Sequence, residues 1–526
     1  MRLELPGAQP AARRYLGESG ALETQLRTSD GDWLVTDFMP AGPGAPAGLI
    51  CRLFSAAPRR VRVTVCPRPN YARDAVRLAD AGRAIVVNDR QHLYASHSLI
   101  IDQDEIHLTL PEGEQGWMVL ADSPLLPPAR TDLERWLDIT LRHWHGMFTR
   151  VTYSGPYESD VAASLRALRL LCHEESGGFV AAATTSLPEV PGGIGNWDYR
   201  YVWLRDAGMI ISALVRLGGN LIEGERLLDF ICSARGSSSK YPLAPFTTLD
   251  HDTAPQEQAL DFTGYLNSRP VRIGNDARDQ LQLGAFGNVL LAAKLIYQRS
   301  PDRPHWETVA AIADYLTAHW REPDHGMWEE KVKHQYTASR VIAACALDSI
   351  AEFSIDKVQA ARWRAAVSDI RNFVSTHCLT STGAYAVFAG SEDVDVSAAL
   401  FPVWAYTNAG TAAMRATIEA LDRDYSWKGL LYWRHLEGTD SRTEGAFLAS
   451  TLWVAQYWIM RGDTERAQRI LDAALAYAND LGLFAEEADP RSGRMLGNFP
   501  QTFVHAAFIG VVIDLKAALQ QQGTPT

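Results

Sequence analysis

The stretch TDLERWLDITLRHWHGMF, Thr131–Phe148, is where the texture of the chain changes. It reads as a helix, with Thr131 at the N-cap and Glu134 three residues on, a capping-box spacing. On its N-terminal side, from Ala21 to about Leu120, the sequence alternates with period two and is broken by turns. RRVRVTVCPRP (59–69) reads as a strand, and RAIVVNDRQHLYASHSLIIDQDEIHLTL (83–110) as several more, punctuated by Asn-Asp and Asp-Gln-Asp. MPAGPGAPAG (39–48) is a Pro/Gly loop. An antiparallel sandwich accounts for this half.

On the C-terminal side, eleven or twelve amphipathic helices follow one another without a repeat of fixed period, and paired helical layers fit them. The expected division is a β-sandwich over 1–125, a helical linker over 126–155 and a helical catalytic domain over 156–526. The longest connections between helices are rich in Trp, Tyr, Gly and carboxylates, which is where a site on a rigid scaffold belongs.

Composition narrows the partners. The chain has 526 residues, 47% of them hydrophobic, and a formal net charge of −12. There is no Lys/Arg block, so a nucleic-acid partner is not expected. Six cysteines lie far apart with no CxxC, and read as buried thiols rather than disulfides or a zinc site. The N-terminus lacks a signal-peptide core and no run suggests a membrane span of ~20 apolar residues. A cytoplasmic protein without a membrane partner is the expectation.

Three stretches carry candidate chemistry. GNWDYRYVWLRDAG (195–208) crowds aromatic rings and charges directly before the helix MIISALVRLGG (209–219). Asp206 there could cap that helix, with Arg205 as a surface partner. The alternative is a sugar pocket, in which Arg205 and Asp206 bind vicinal hydroxyls while flat rings meet the apolar face of a sugar. In DHGMWEEK (324–331), Glu329 and Glu330 stand directly behind Trp328. In GLFAEEADPRSGRMLGNFPQTFVH (482–505), Glu486 and Glu487 follow Phe484. A Glu-Glu pair is commonly a solvated turn, but an aromatic neighbour raises a carboxyl pKa toward the range of a general acid. Two such loops suggest the paired carboxylates of glycoside hydrolysis. No GxSxG elbow, P-loop or dinucleotide fingerprint competes. The histidines of HWH (143–145) are two apart and would not share a helix face.

Five blocks together resemble glycoside hydrolase family 15, which holds glucoamylases, glucodextranases and actinobacterial trehalases. They are TTSLPEVPGGIGNWDYRYVWLRDAG (184–208), SRPVRIGNDARDQLQL (268–283), DHGMWEEK (324–331), TEGAF (443–447) and AEEADPRSGRMLGNFPQTFVH (485–505), in the family's order and spacing. The resemblance implies a mainly α fold, an (α/α)6 barrel preceded by a smaller antiparallel β-sandwich. It also implies an inverting hydrolase releasing β-glucose from a non-reducing end, with no metal or cofactor. By motif position Glu329 is the implied general acid and Glu486 the implied general base. Arg205 and Asp206 match the pair that grips the terminal glucosyl unit, Glu330 a substrate-binding position and Arg434 a further sugar-binding arginine. Trp203 and Trp328 are expected as pocket walls. Many bacterial relatives carry Asp-Val-Tyr-Gly-Glu where this chain has Gly284, Ala285, Phe286, Gly287 and Asn288, and the loop 237–256 also differs from trehalase-like relatives. On those departures an exo-acting α-glucosidase on malto- or isomalto-oligosaccharides ranks first and α,α-trehalase second. A non-catalytic carbohydrate-binding relative is the reading from another class. The expected partner is therefore a small oligosaccharide or glucoside.

Overall fold

A computed structural model describes residues 1–151, 153–218, 221–234, 241–436, 438 and 440–522. The chain divides into two compact units, Met1–Arg150 and Val151–Thr526. The first unit begins with twelve strands: β1 (Arg2–Glu4), β2 (Gln9–Tyr15), β3 (Leu22–Thr28), β4 (Gly31–Phe38), β5 (Leu49–Phe54), β6 (Val61–Val65), β7 (Leu78–Asp80), β8 (Ile85–Val87), β9 (Gln91–Ala95), β10 (Leu99–Asp102), β11 (Glu105–Leu110) and β12 (Gly116–Ala121). They form a four-stranded sheet, β1-β6-β11-β10, and an eight-stranded sheet, β2-β3-β4-β5-β12-β9-β8-β7, with every pairing antiparallel.

Alternation decides what each face of the larger sheet covers. Along β12, Met118 and Leu120 join a core with Val61, Val63, Ile106 and Leu108 of the smaller sheet. Trp117, Val119 and Ala121 face the other way and pack with Leu133, Trp136, Leu137 and Leu141 of helix α1 (Arg130–Phe148). The larger sheet thus has a sheet on one face and a helix on the other. The cap of α1 differs from the expected one. The N-cap is Ala129, whose N–H donates to Asp132 Oδ2 (2.9 Å), while Glu134 pairs with Arg130 one turn back.

The second unit is built from eleven helices among the described residues: α2 (Glu158–Leu170), α3 (Leu204–Leu217), α4 (Leu221–Ser233), α5 (Leu283–Tyr297), α6 (Trp306–His319), α7 (Thr337–Ala351), α8 (Lys357–His377), α9 (Ala412–Asp424), α10 (Leu448–Met460), α11 (Thr464–Leu475) and α12 (Thr502–Gln522). Gly218 follows α3 with φ 88°, and Gly219, read with it as the end of that helix, lies outside the described residues. Packing closes a ring. Helix α3 lies against α5, α5 against α7, α7 against a 3-10 segment at Val396–Leu400, that segment against α10, α10 against α12, and α12 against α3 again. Helices α2, α4, α6, α8, α9 and α11 each pack on a ring member from outside.

The two layers have different sequences for a physical reason. Most ring helices are covered on nearly every side, so the amphipathic pattern expected throughout is weak in α5, α7, α10 and α12, although α3 keeps it. Thirteen of the 15 residues of α7 are buried, against six of the 21 in α8. One run does meet the composition of a membrane span, against expectation. Helix α12 is long and apolar enough to span a bilayer by length and composition, but 67% of its most apolar window is buried inside the protein. The six cysteines are all free thiols, with Cys66 and Cys172 only half-buried.

The helices approach closely around 284–288. A Cβ on Gly208 of α3 would lie 2.7 Å from the backbone oxygen of Asn288 in α5, and one on Gly287 would lie 3.0 Å from Ile342 of α7. Asn288 itself donates back along its helix to the Gly284 carbonyl (3.1 Å). Gly208→Ala should therefore force two ring helices apart at a cost of about 1–3 kcal/mol. Gly510→Ala, whose nearest contact would be 3.6 Å away, should be neutral or stabilising. Thermal unfolding of the two variants beside the parent protein checks this, with Gly208→Ala expected to melt lowest.

Candidate active site

Residues 197–205, an irregular and extended segment that enters α3 at Leu204, carry much of the site. Asp198 is fully buried and holds the segment from the other side, accepting from Arg200, Tyr201 and the Gly274 N–H. Arg272 lies over the Trp197 ring at 4.5 Å and donates to the Ile194 and Asn196 carbonyls (2.7 and 3.0 Å). Fixed in this way, Tyr199, Trp203 and Arg205 each reach a carboxylate. Tyr199 donates its hydroxyl to Glu486 Oε1 (2.9 Å), Trp203 its indole N–H to Glu329 Oε1 (2.8 Å), and Arg205 a guanidinium N–H to the same oxygen (3.2 Å). The Tyr199 and Trp203 rings meet edge to face at 5.6 Å, so one continuous run of contacts joins the two glutamates.

Glu329 sits at the tip of a loop closed by reciprocal backbone bonds between Asp324 and His334 (2.9 and 3.0 Å). Its φ of 61° is a left-handed conformation that costs a non-glycine residue energy, and such strain gathers at functional sites. The Glu329 carbonyl accepts from Gln280 Nε2 (3.0 Å). Fully buried Asp324 ties this loop to the ring, accepting from the Leu283 N–H of α5 and from Ser339 and Arg340 of α7.

Glu486 is buried, with Oε2 lacking any hydrogen-bond partner. Burial raises its pKa to about 7, against the lowering pull of Arg434, the Tyr199 hydrogen bond and Arg205. Gly497, at φ 78°, lets the returning GNFPQ segment pass close by, since a Cβ there would lie 3.0 Å from Glu486 Cβ. Asn498 then bonds that segment to the Trp197 carbonyl (2.9 Å).

Asp206 does not cap α3, whose N-cap is Trp203. It accepts from Arg205 Nε (2.9 Å) through Oδ1, while its buried Oδ2 has no partner. Burial raises the Asp206 pKa and its arginine opposes the rise. Arg205 also donates to the Met327 carbonyl (2.7 Å) and stands 5.1 Å over the Phe503 ring. Trp328 donates to Asp395 Oδ1 (2.9 Å) and stacks on Trp453 at 5.8 Å. Glu330 is half-buried beside Glu329, its N–H donating to the His325 carbonyl (3.0 Å).

Arg434 is half-buried between the Phe447 ring (5.1 Å) and three carboxylates, with Nε 3.1 Å from Glu444, Nη2 3.4 Å from Glu189 and 3.9 Å from Glu487. Oxygens of Glu189, Glu444 and Glu487 come within 4.8 Å of one another, close enough to share one cation, and the guanidinium already stands against all three. Burial pushes the pKa values of Glu189 and Glu487 well up, the neighbouring acids add to the rise, and Arg434 opposes it.

The structure thus brings Glu329, Glu486, Arg205, Asp206 and Trp203 into one connected set, with Trp328 and Arg434 on its Phe447 side. Several participants were not read from the sequence. Tyr199 could have been found as the residue two steps before Tyr201 and four before Trp203 on the same extended stretch. Asp395, which fixes Trp328, also caps the 3-10 segment through the Ser397 N–H (3.0 Å). The Asp-x-Ser spacing was the available signal for it. Glu189 and Glu444 lie within the blocks that carry the resemblance, but nothing local marks them as partners of Arg434.

Comparison with known proteins places the chain in a family. The family model described as glycosyl hydrolases family 15 matches residues 155–461 and 458–512. A trehalase from Thermoplasma volcanium is 31% identical over 74% of this chain, a match spanning 64% of that protein's length. A trehalase from Mycolicibacterium smegmatis is 30% identical over 97% of this chain and 83% of that protein. Among solved structures, a bacterial glucoamylase complexed with acarbose superposes with a TM-score of 0.72 at 14% identity, over 99% of this chain and 88% of that one. The chain belongs to glycosyl hydrolases family 15.

Proposed function

We propose that the protein hydrolyses α,α-trehalose with inversion, on an (α/α)6 barrel formed by the closed ring and its outer helices. The observation that carries this substrate is the length of the match to a relative named trehalase, 97% of this chain. It moves trehalase ahead of the malto- or isomalto-oligosaccharide glucosidase expected from the loop departures. That second reading is supported by the fold-level likeness to a glucoamylase over 99% of the chain.

In this mechanism Glu329 is the general acid. Its Oε1 already accepts two N–H donors, so the proton for the glycosidic oxygen belongs on Oε2. Glu486 is the general base, and its unpartnered Oε2 takes a proton from the water that attacks the anomeric carbon from the opposite face. The bond from that carbon to the leaving oxygen breaks as the water oxygen bonds to it. The leaving sugar receives the Glu329 proton, and Glu486 retains the proton from water until the site resets. Asp206 Oδ2, buried and unsatisfied, supplies an acceptor for a glucosyl hydroxyl, and Arg205 supplies its neighbouring donors. Trp328, Glu330 and Arg434 complete the sugar-binding surface, whereas Trp203, expected as a pocket wall, is fully buried and holds Glu329 through its indole N–H.

Inversion of trehalose releases one β-glucose and one α-glucose. Proton NMR taken before mutarotation should therefore show equal anomers from trehalose, whereas no turnover of trehalose alongside prompt β-glucose from maltose or isomaltose would favour the second reading. Glu329→Gln and Glu486→Gln should each lower kcat by about 10²–10⁴-fold. Turnover that survives both would remove them from these roles.

The base must be ionised, so kcat/KM should rise with pH through about 7, the pKa of Glu486. Tyr199→Phe removes a hydrogen bond that favours the carboxylate, so Glu486 should hold its proton to higher pH. The midpoint of that rising limb should move upward in the variant. An unmoved limb would mean that Glu486 is not the group it reports.

A further inference from the structure

A cavity of about 480 Å³ lies inside the ring and is lined by none of the groups assigned above to catalysis or sugar binding. Each ring member contributes to it: Arg216 of α3, Lys294 of α5, Asp348 of α7, Leu400 of the 3-10 segment, Gln456 of α10 and Asp514 of α12. The catalytic groups cluster around the segments that lead into the ring helices. Arg205 and Asp206 open α3, the Glu329 loop precedes α7, and the Glu486 loop precedes α12. The cavity residues stand further along those same helices, from Gly208, two residues past Asp206, to the charged groups Arg216, Lys294, Asp348 and Asp514 toward their C-terminal ends.

The lining chemistry specifies a class of ligand. Three cations, Arg216, Lys294 and Arg371, are matched by three anions, Asp348, Glu352 and Asp514. A balanced lining gives no net attraction for an anion or a cation, yet it presents many hydrogen-bonding groups. Part of the set is already fixed, since Asp514 accepts from Arg216 and from Gln456 Nε2 (2.8 Å), and Arg371 donates to the Tyr406 carbonyl (3.0 Å). Asp348 and Glu352 keep exposed carboxylates at the rim. The aromatic component is Trp404, which lies nearly parallel to Phe401 at 6.2 Å, and buried Trp453. Paired charges, amides and indole rings in a space within the ~300–1,000 Å³ range of small-molecule sites match a neutral polyhydroxylated molecule.

We propose that this cavity is a second saccharide site, taking a neutral sugar of one or two rings at the end of the ring away from Glu329 and Glu486. Trp453 forms part of its wall and stacks on Trp328, so an occupant touches a residue that also supports the catalytic side. This assignment is independent of which glycoside the enzyme cleaves, because it rests on the lining alone.

The test uses the full chain with 5-fluorotryptophan incorporated, and the Trp404 fluorine signal assigned by its loss in Trp404→Phe. Titration with D-glucose should shift that signal saturably, and the shift should persist in Asp206→Ala, which strikes the catalytic pocket. The double substitution Asp348→Ala, Glu352→Ala changes two exposed rim residues and should weaken the Trp404 response about tenfold. Its hydrolytic rate at low sugar concentration should not change. A Trp404 signal that stays still at the highest soluble glucose concentration overturns the proposal. So does a response to inorganic phosphate but not to glucose, or a glucose response that the rim substitutions leave untouched.

Discussion

The proposed catalytic arrangement depends on a buried ion pair, Asp324 with Arg340 at 2.6 Å, both side chains without solvent exposure. Such a pair is not a large source of stability, because removing two charges from water offsets most of their attraction. Its value here is positional. Asp324 begins the loop that carries Glu329, and its oxygens are bonded to the first residue of α5 and to two residues of α7. Arg340 also reaches back to the Glu322 carbonyl, so the loop is held from both sides of its base. Loss of one partner would strand a charge in the core at a cost of about 3–5 kcal/mol.

The second constraint is the stretch that leads into the first turn of α3. One run of chain delivers a hydroxyl to Glu486, an indole N–H to Glu329 and a guanidinium to both Glu329 and Asp206. The environments of the two glutamates differ as a consequence. Glu329 shares one oxygen between two N–H donors and keeps some exposure, whereas Glu486 is buried with one donor and an unsatisfied oxygen. The proposed division of acid and base between two identical side chains rests on that difference.

Much of this was legible in the sequence, and the limits were physical. Period two before Leu120 and helical texture after Thr131 gave the two halves, because each pattern follows from which faces are buried. The ring was harder to read. Its helices α5, α10 and α12 are apolar all round, so amphipathic spacing cannot mark their neighbours, and α12 even satisfies the composition of a membrane span. The residues of the two Glu-Glu loops stood out through their aromatic neighbours. Arg434 was legible only through the family resemblance, since its partners Glu189, Glu444 and Glu487 are scattered along the chain. The cap expected at Thr131 failed because a side chain at N3, Asp132, bonds the N-cap backbone without needing a polar residue at the cap itself.

The ring has one short member. Five residues of 3-10 helix rise about 10 Å, whereas the 15 residues of α7 rise about 22 Å. At that one position the inner wall gives out halfway along, and Arg371, on the outer helix α8, reaches through to line the axial cavity. The outer layer, whose other helices serve as buttresses, there becomes part of the interior. A change on the outside of α8 can therefore alter the inside of the protein without passing through the ring, which makes this stretch a place where selection on the surface and selection on the centre act on the same residues.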